Sequence, residues 1–189
     1  MTTADRILDA ALELFNEQGV APVSTNHIAA AAAMSPGNLY YHFRNKDEIV
    51  RSLFERLFDT LDRAFTVPDD RGPILEDVGR LVRINFDVVW EFRFAYRELP
   101  ALLRHDDILR TRWLEVRRRG YEGFQAVIAT FAAAGVIKAP PDPEAVERVA
   151  DLCWLISEFW IPNLEVSGRP VDVTELERGI TLMLQILNP

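Results

Sequence analysis

Between Ser24 and Lys46 the chain reads Ser-Thr-Asn-His-Ile-Ala-Ala-Ala-Ala-Ala-Met-Ser-Pro-Gly-Asn-Leu-Tyr-Tyr-His-Phe-Arg-Asn-Lys. The stretch gathers hydroxyls (Ser24, Thr25, Ser35), an amide (Asn38), two phenols (Tyr40, Tyr41), an imidazole (His42) and an ammonium (Lys46). None of these groups forms a His-x-x-x-His pair, and no nucleophile turn or Gly-rich phosphate loop accompanies them. They suit contact with a polyanion. Hydroxyls and phenols bond phosphate oxygens, an amide matches the donor and acceptor of an adenine edge, and an ammonium neutralises a phosphate. Ser35-Pro36-Gly37 adds small side chains at a helix start, where free N–H groups and the positive dipole end favour phosphate.

The elements that must hold these groups are two short helices joined by a tight turn, the helix-turn-helix unit whose second helix enters the major groove. The spacing predicts one helix from Ser24 through Ala31. A second opens with Ser35 as cap and Pro36 at the first helical position, where a missing N–H costs nothing. Leu39 and Phe43, four apart, face away from DNA toward Ile7, Leu12, Phe15 and Ile28 on a preceding helix. That first helix begins after Thr2-Thr3 and stops at Gly19, with Pro22 blocking continuation. Asn45, with Glu48 three residues on, opens a long helix carrying Ile49, Leu53, Leu57, Leu61 and Phe65, flanked by Phe54 and Phe58.

The Ile28-Ala29 pair is followed by Ser35-x-Gly37-x-Leu39-Tyr40-x-His42-Phe43-x-x-Lys46. With that order and spacing, residues from about Ala4 to Leu57 resemble the DNA-binding domain of the TetR family of bacterial transcriptional regulators. The remainder, from about Asp47, is similar to the family's ligand-binding and dimerisation domain in length and helix count rather than in motif. The resemblance implies DNA contacts at Ser24, Thr25, Ser35, Pro36, Gly37, Asn38, Tyr40, Tyr41, His42 and Lys46. It also implies a homodimer paired through the last two helices and a repressor released by a small effector. On this division residues 1–47 are the helix-turn-helix domain, extended by the connecting helix to about 60, and residues 48–189 are the effector-binding and dimerisation domain.

Two departures from the family pattern matter physically. Ala33 stands where the family commonly has glycine, and a left-handed alanine costs roughly 1–2 kcal/mol. Residues 1–48 carry Arg6, Arg44 and Lys46 against Asp5, Asp9, Glu13, Glu17, Asp47 and Glu48, a net of −3, so the usual basic footprint is absent. The acids are expected on the face of the first helix turned from DNA. That net charge keeps open a helical small-molecule-binding protein of the same fold without DNA binding; activation instead of repression is also open.

Beyond Phe65 the sequence predicts a loop at Pro68 to Pro73 and a helix from Leu75 to Trp90. An aromatic stretch follows, interrupted at Leu99-Pro100, then a long helix from Asp107 to Ala134 ended by Gly135. Ala139-Pro140-Pro141-Asp142-Pro143 reads as a linker. The last two helices run to about Pro162 and from Asp172. Their apolar residues, Leu152, Trp154, Leu155, Ile156 and Phe159, then Leu176, Ile180, Met183 and Leu187, are candidates for the dimer surface. With no alternating strand pattern, the fold class is all-α, with about nine helices.

Large rings are dense in the second half. They are either core or the lining of a cavity for a small apolar or aromatic effector, with Phe86, Trp90, Tyr96, Trp113, Phe124 and Trp154 as candidates. Arg117-Arg118-Arg119 diverge by about 100° each on a helix and form no flat patch. His105-Asp106-Asp107 point apart and make a poor metal site, and Cys153, the one cysteine of the 189 residues, lies among apolar neighbours as an inert thiol. No catalytic group, metal or cofactor is therefore expected. Apolar residues make up 49% and charged residues 26%, with 21 basic against 29 acidic side chains. That composition predicts a globular protein and argues against a polyanion binder that works by bulk charge. The longest uncharged apolar stretch, Ala126 to Ile137, falls short of the roughly 20 residues a bilayer requires. The N-terminus lacks the pattern of a signal peptide, and a cytoplasmic protein without membrane partners is expected.

Overall fold

The computed structural model describes residues 2–64, 72–138 and 142–187, and among these it holds nine helices and no strand. They are α1 (Thr3–Gln18), α2 (Thr25–Ala31), α3 (Pro36–His42), α4 (Lys46–Ala64), α5 (Leu75–Glu91), α6 (Arg93–His105), α7 (Asp107–Ala133), α8 (Pro143–Val166) and α9 (Val173–Leu187). The all-α prediction holds. Phe65, Pro68 to Arg71 of the predicted loop and Ala139-Pro140-Pro141 of the predicted linker lie outside the described residues. No helix among the described residues is long and apolar enough to cross a membrane.

The head, α1–α3 with the start of α4, is built from local chemistry. Thr2 and Asp5 form a reciprocal capping box on α1, and Ser24 and His27 do the same on α2. The Ser35 side chain accepts from the Asn38 N–H, and Asn45 Oδ1 accepts from the Glu48 N–H at 2.9 Å. Gly19 ends α1 at φ 81, a conformation that favours glycine. A Cβ there would also stand 2.8 Å from the Glu98 carboxylate. After α2 the Ala33 N–H donates to the Ala30 carbonyl and the Met34 N–H to the Ala29 carbonyl. This is a Schellman closure, and it holds Ala33 at φ 53. The turn therefore keeps the left-handed geometry and tolerates alanine in it.

The body packs α5 against α8 and α9, and α7 against α6 and α8. Two expected breaks are absent. Pro100 lies inside α6 and Pro162 inside α8. In each helix buried neighbours (Leu99 and Leu102; Ile161 and Leu164) continue the core-facing side, and their burial outweighs one missing backbone hydrogen bond. The real break lies at Phe92, between α5 and α6. On α9, Leu176, Ile180, Met183 and Leu187 are all buried within the chain, so they belong to its own core and not to an exposed stripe.

Head and body meet along α1, α4 and α6. The buried Asn16 amide donates to the Glu91 carbonyl at 2.8 Å and accepts from the Phe94 N–H at 3.0 Å, closing the α5–α6 break onto α1. Arg97 donates to the Asn16 carbonyl at 3.1 Å, and the Glu98 carboxylate accepts from the Val20 N–H at 2.8 Å. Through the same junction runs a line of rings. Phe15 touches Phe94 at 5.5 Å between centroids, Phe94 meets Phe54 at 6.1 Å, and Phe54 meets Trp113 at 5.9 Å.

Candidate nucleic-acid interface and internal cavity

The chain sorts the α3 residues by face. Leu39 and Phe43 are buried beside Ile7, Phe15 and Ile28, as four-residue helical spacing requires. Ser35, Pro36, Gly37, Asn38 and His42 are exposed, Tyr40 is half exposed and Tyr41 is 84% exposed. A phenol so open to water contributes nothing to the core, and its ring stands edge-on to His42 at 5.2 Å. Thr25 Oγ1 and the Tyr40 hydroxyl lie 2.9 Å apart, tying the starts of the candidate contact surfaces on α2 and α3 together. Ser24 is exposed, though its oxygen is already engaged as the α2 cap. Gly37 carries no Cβ, and nothing lies within 4 Å of where one would be.

Lys46 differs from its expected role. Its ammonium donates to the carbonyls of Val20 at 2.7 Å, Ala21 at 3.3 Å and Val23 at 2.9 Å. All three N–H donors of a lysine are thereby used. Lys46 clamps the α1–α2 loop to the start of α4, and no donor remains for a phosphate. Arg6 has a similar duty, since its guanidinium donates to the Ala32 carbonyl at 2.6 Å beside the turn. Among the six acids of the head, Asp9 pairs with Arg56 of α4 at 2.5 Å, Asp5 lies 3.6 Å from the same guanidinium, and the Glu48 carboxylate accepts from the Arg44 N–H. The Asp5 carboxyl is held below the usual range, chiefly by its hydrogen bonds with Thr2.

The body holds a partly open cavity of about 380 Å³. Tyr96, Trp113, Phe124 and Trp154, expected there, do line it. Phe86 and Trp90 do not. Phe86 fills the α5–α9 contact, so close that a Cβ on Gly179 would stand 2.5 Å from its ring, and Trp90 carries the Arg93 guanidinium 4.6 Å from its ring centre. Phe58 and Phe131 complete the aromatic wall and were not expected in it. For Phe58 a signal existed in its placement late on the long α4, beside Leu61, but a ring count along the chain carries no direction.

Polar groups in the lining are few. Glu158 is buried and accepts from Arg117 at 2.8 and 3.2 Å and from the Trp154 indole at 2.7 Å. Asn85 and Ser157 bond each other at 2.9 Å. The three consecutive arginines separate as helical geometry demands: Arg117 faces Glu158, Arg118 pairs with Glu122, and Arg119 reaches the cavity lining. Cys153 is buried against the cavity, and desolvation pushes its thiol up to about 12, far from a nucleophile's range. Asp106 caps α7 through the Ile108 and Leu109 N–H groups and pairs with Arg51. Burial raises its carboxyl, but these bonds together outweigh that and lower it. No cluster suited to a metal ion occurs among the described residues.

Comparisons with known proteins agree with this layout. Residues 7–53 match the family model described as "Bacterial regulatory proteins, tetR family", and residues 56–189 match that described as "Bacterial transcriptional repressor". A crystal structure of a TetR-family transcriptional regulator from Marinobacter aquaeolei VT8 is 37% identical, with a TM-score of 0.88 over 99% of this chain and 90% of that one. The Pseudomonas putida protein described as "Probable HTH-type transcriptional regulator ArpR" is 36% identical over 158 residues, 78% of this chain and 73% of that protein. The HTH-type transcriptional regulator AcrR of Shigella flexneri is 42% identical over 53 residues, a match covering 28% of this chain and 25% of AcrR.

Proposed function

Because the chain belongs to the TetR family of DNA-binding transcriptional regulators, we propose that it is a homodimeric repressor released from its operator by a small molecule held in the body cavity. The observation that carries the DNA-reading half is the division of α3: core-forming Leu39 and Phe43 on one side, exposed Ser35, Pro36, Gly37, Asn38, Tyr41 and His42 on the other. In this reading residues 1–47 are the DNA-binding domain and residues 48–189 the effector-binding and dimerisation domain. Thr25 and Tyr40, bonded to each other, and Ser24 flank the groove-reading face, and Lys46 acts by positioning it.

Release is a matter of spacing. Two recognition helices read one face of a duplex only when about 34–36 Å apart, and a ligand shifts that spacing by its differential affinity for two helix arrangements. One element spans the distance between the sites. Lys46 at the start of α4 grips the head, while Phe58, Leu61 and Asp62 near its other end line the cavity. At 1.5 Å per residue, Lys46 and Leu61 stand about 22 Å apart along a helix. Regulators of this family dimerise, and α8 supports a surface for it here, leaving Leu152, Leu155 and Phe159 exposed at spacings of three and four.

The test is titration of the purified protein against the DNA upstream of its own coding sequence. Tyr41→Ala is expected to weaken binding about tenfold, near the 1.4 kcal/mol of a lost contact, with the dimer mass unchanged. With few cations free on the head, each contacted phosphate adding about −0.9 to the log–log salt slope, a shallow dependence is expected. Unchanged affinity in the variant, or a slope as steep as about −8, would overturn this contact picture.

A further inference from the structure

We infer that the body cavity takes an uncharged ligand with a flat aromatic body and one hydrogen-bond acceptor, placed to receive the proton of the Tyr96 hydroxyl. The inference rests on the effector-cavity reading and names the chemistry of its ligand. Tyr96 is 4% exposed and lines the cavity, yet its hydroxyl has no hydrogen-bond partner among the described residues. No fully enclosed side-chain nitrogen or oxygen among those residues lacks a partner, so the Tyr96 oxygen keeps an opening. The cavity is the space that Tyr96 lines. A buried hydroxyl without a bond is costly, and a ligand acceptor removes that cost.

The rest of the lining argues for neutrality. Glu158 is neutralised by Arg117 and further bonded by the Trp154 indole, and Asn85 and Ser157, both uncharged, bond each other. A cationic ligand gains Glu158 only by displacing Arg117, and an anionic one must share Arg117 with that buried carboxylate. The pair is one-sided, with Glu158 buried and 39% of the Arg117 side chain exposed, so a ligand charge that loosens it leaves the buried carboxylate with less compensation. Asp62 and Arg119, the other charged residues of the lining, are exposed and opposite in sign. The walls are flat rings (Phe58, Trp113, Phe124, Phe131 and Trp154), which prefer offset or edge contacts with another ring. Burial, with the Glu158 charge nearby, raises the Tyr96 pKa far above neutral, so the phenol stays protonated and can donate.

Tyr96 also lies where a ligand bond would be felt. Phe94, two residues before it, packs on Phe15 of α1, and Arg97 and Glu98, directly after it, bond Asn16 in the last turn of α1 and Val20 two residues beyond its end.

A matched set of probes on one bicyclic frame tests this: naphthalene, 2-acetylnaphthalene, 2-naphthoate and trimethyl-(2-naphthyl)ammonium. Each is titrated into the full-length protein and Tyr96→Phe by calorimetry, with operator release followed in parallel. The ketone is expected to bind most tightly and to lose about threefold to tenfold in the variant, the worth of one neutral hydrogen bond. Naphthalene is expected to be indifferent to the substitution. The hydroxyl has no protein partner, so the thermal midpoint of Tyr96→Phe should stay level with that of the parent or rise, never fall, which keeps a folding defect separate. Tightest binding of the ammonium or naphthoate, equal ketone affinity with and without the hydroxyl, or no binding by any probe overturns the inference. Ketone binding that needs Tyr96 yet leaves the operator bound overturns the effector reading alone. Release that does not need Tyr96 keeps that reading and removes the inference.

Discussion

Tyr41 and Tyr96 show how the head and the body use the same side chain for opposite ends. In the head, the ring of Tyr41 points into water at 84% exposure, where it stabilises nothing in the fold. In the body, Tyr96 is 4% exposed and lines the cavity. The head is held by hydroxyl and amide caps at the starts of α1, α2, α3 and α4, and its exposed rings face outward. The body caps α7, α8 and α9 with Asp106, Asp142 and Asp172, but starts α6 without a side-chain cap bond and closes that break by ring packing. A surface that must meet a duplex keeps polar tips outside. A chamber that must admit a small molecule keeps bulky walls inside and leaves their centre unfilled.

The comparison would break first at the junction. Asn16→Ala removes both bonds from α1 to the α5–α6 break and leaves a buried N–H and a part-buried carbonyl unpaired, a loss of about 3 kcal/mol. The thermal midpoint should fall by roughly 6–12 °C for a chain of this size. A shift under about 2 °C would mean that head and body do not depend on this contact. Next comes Lys46→Met, which keeps the stem and removes the clamp on Val20, Ala21 and Val23, at a cost of about 2 kcal/mol in head stability. DNA binding should weaken with an unchanged salt slope; a slope smaller by about 0.9 would show instead that the ammonium contacts a phosphate. The smallest effect runs the other way. Ala33→Gly relieves a left-handed alanine and should raise stability by roughly 0.5–1 kcal/mol after the greater freedom of unfolded glycine is counted. A lower midpoint in calorimetry would show the turn to be relaxed with alanine.

These two constructions also explain what was legible in the sequence. Caps act over three residues and stops over one or two, so Thr2, Ser24, Ser35, Gly19 and Gly135 announce themselves locally, and α1 to α3 could be placed before any coordinates. Lys46 could not be assigned that way, because its partners lie 23–26 residues earlier in the chain. The cavity was half readable. Tyr96, Trp113, Phe124 and Trp154 fall on it, but a ring's direction depends on which helices meet, and that sends Phe86 toward Gly179 and Trp90 toward Arg93. Pro100 and Pro162 misled for the same reason. Proline has a strong local preference against helix interiors, yet burial of the neighbouring leucines and isoleucine, a tertiary effect, prevails.

One bare spot in the chamber wall has an engineering meaning. Gly123 lines the cavity on α7, and a side chain begun there would meet no atom within 4 Å. Helical glycine is also the weakest helix former short of proline, so alanine in its place would strengthen α7 by up to about 1 kcal/mol. Gly123 is itself exposed, so position 123 stands where the cavity wall meets solvent, and a first side chain there comes free of structural penalty.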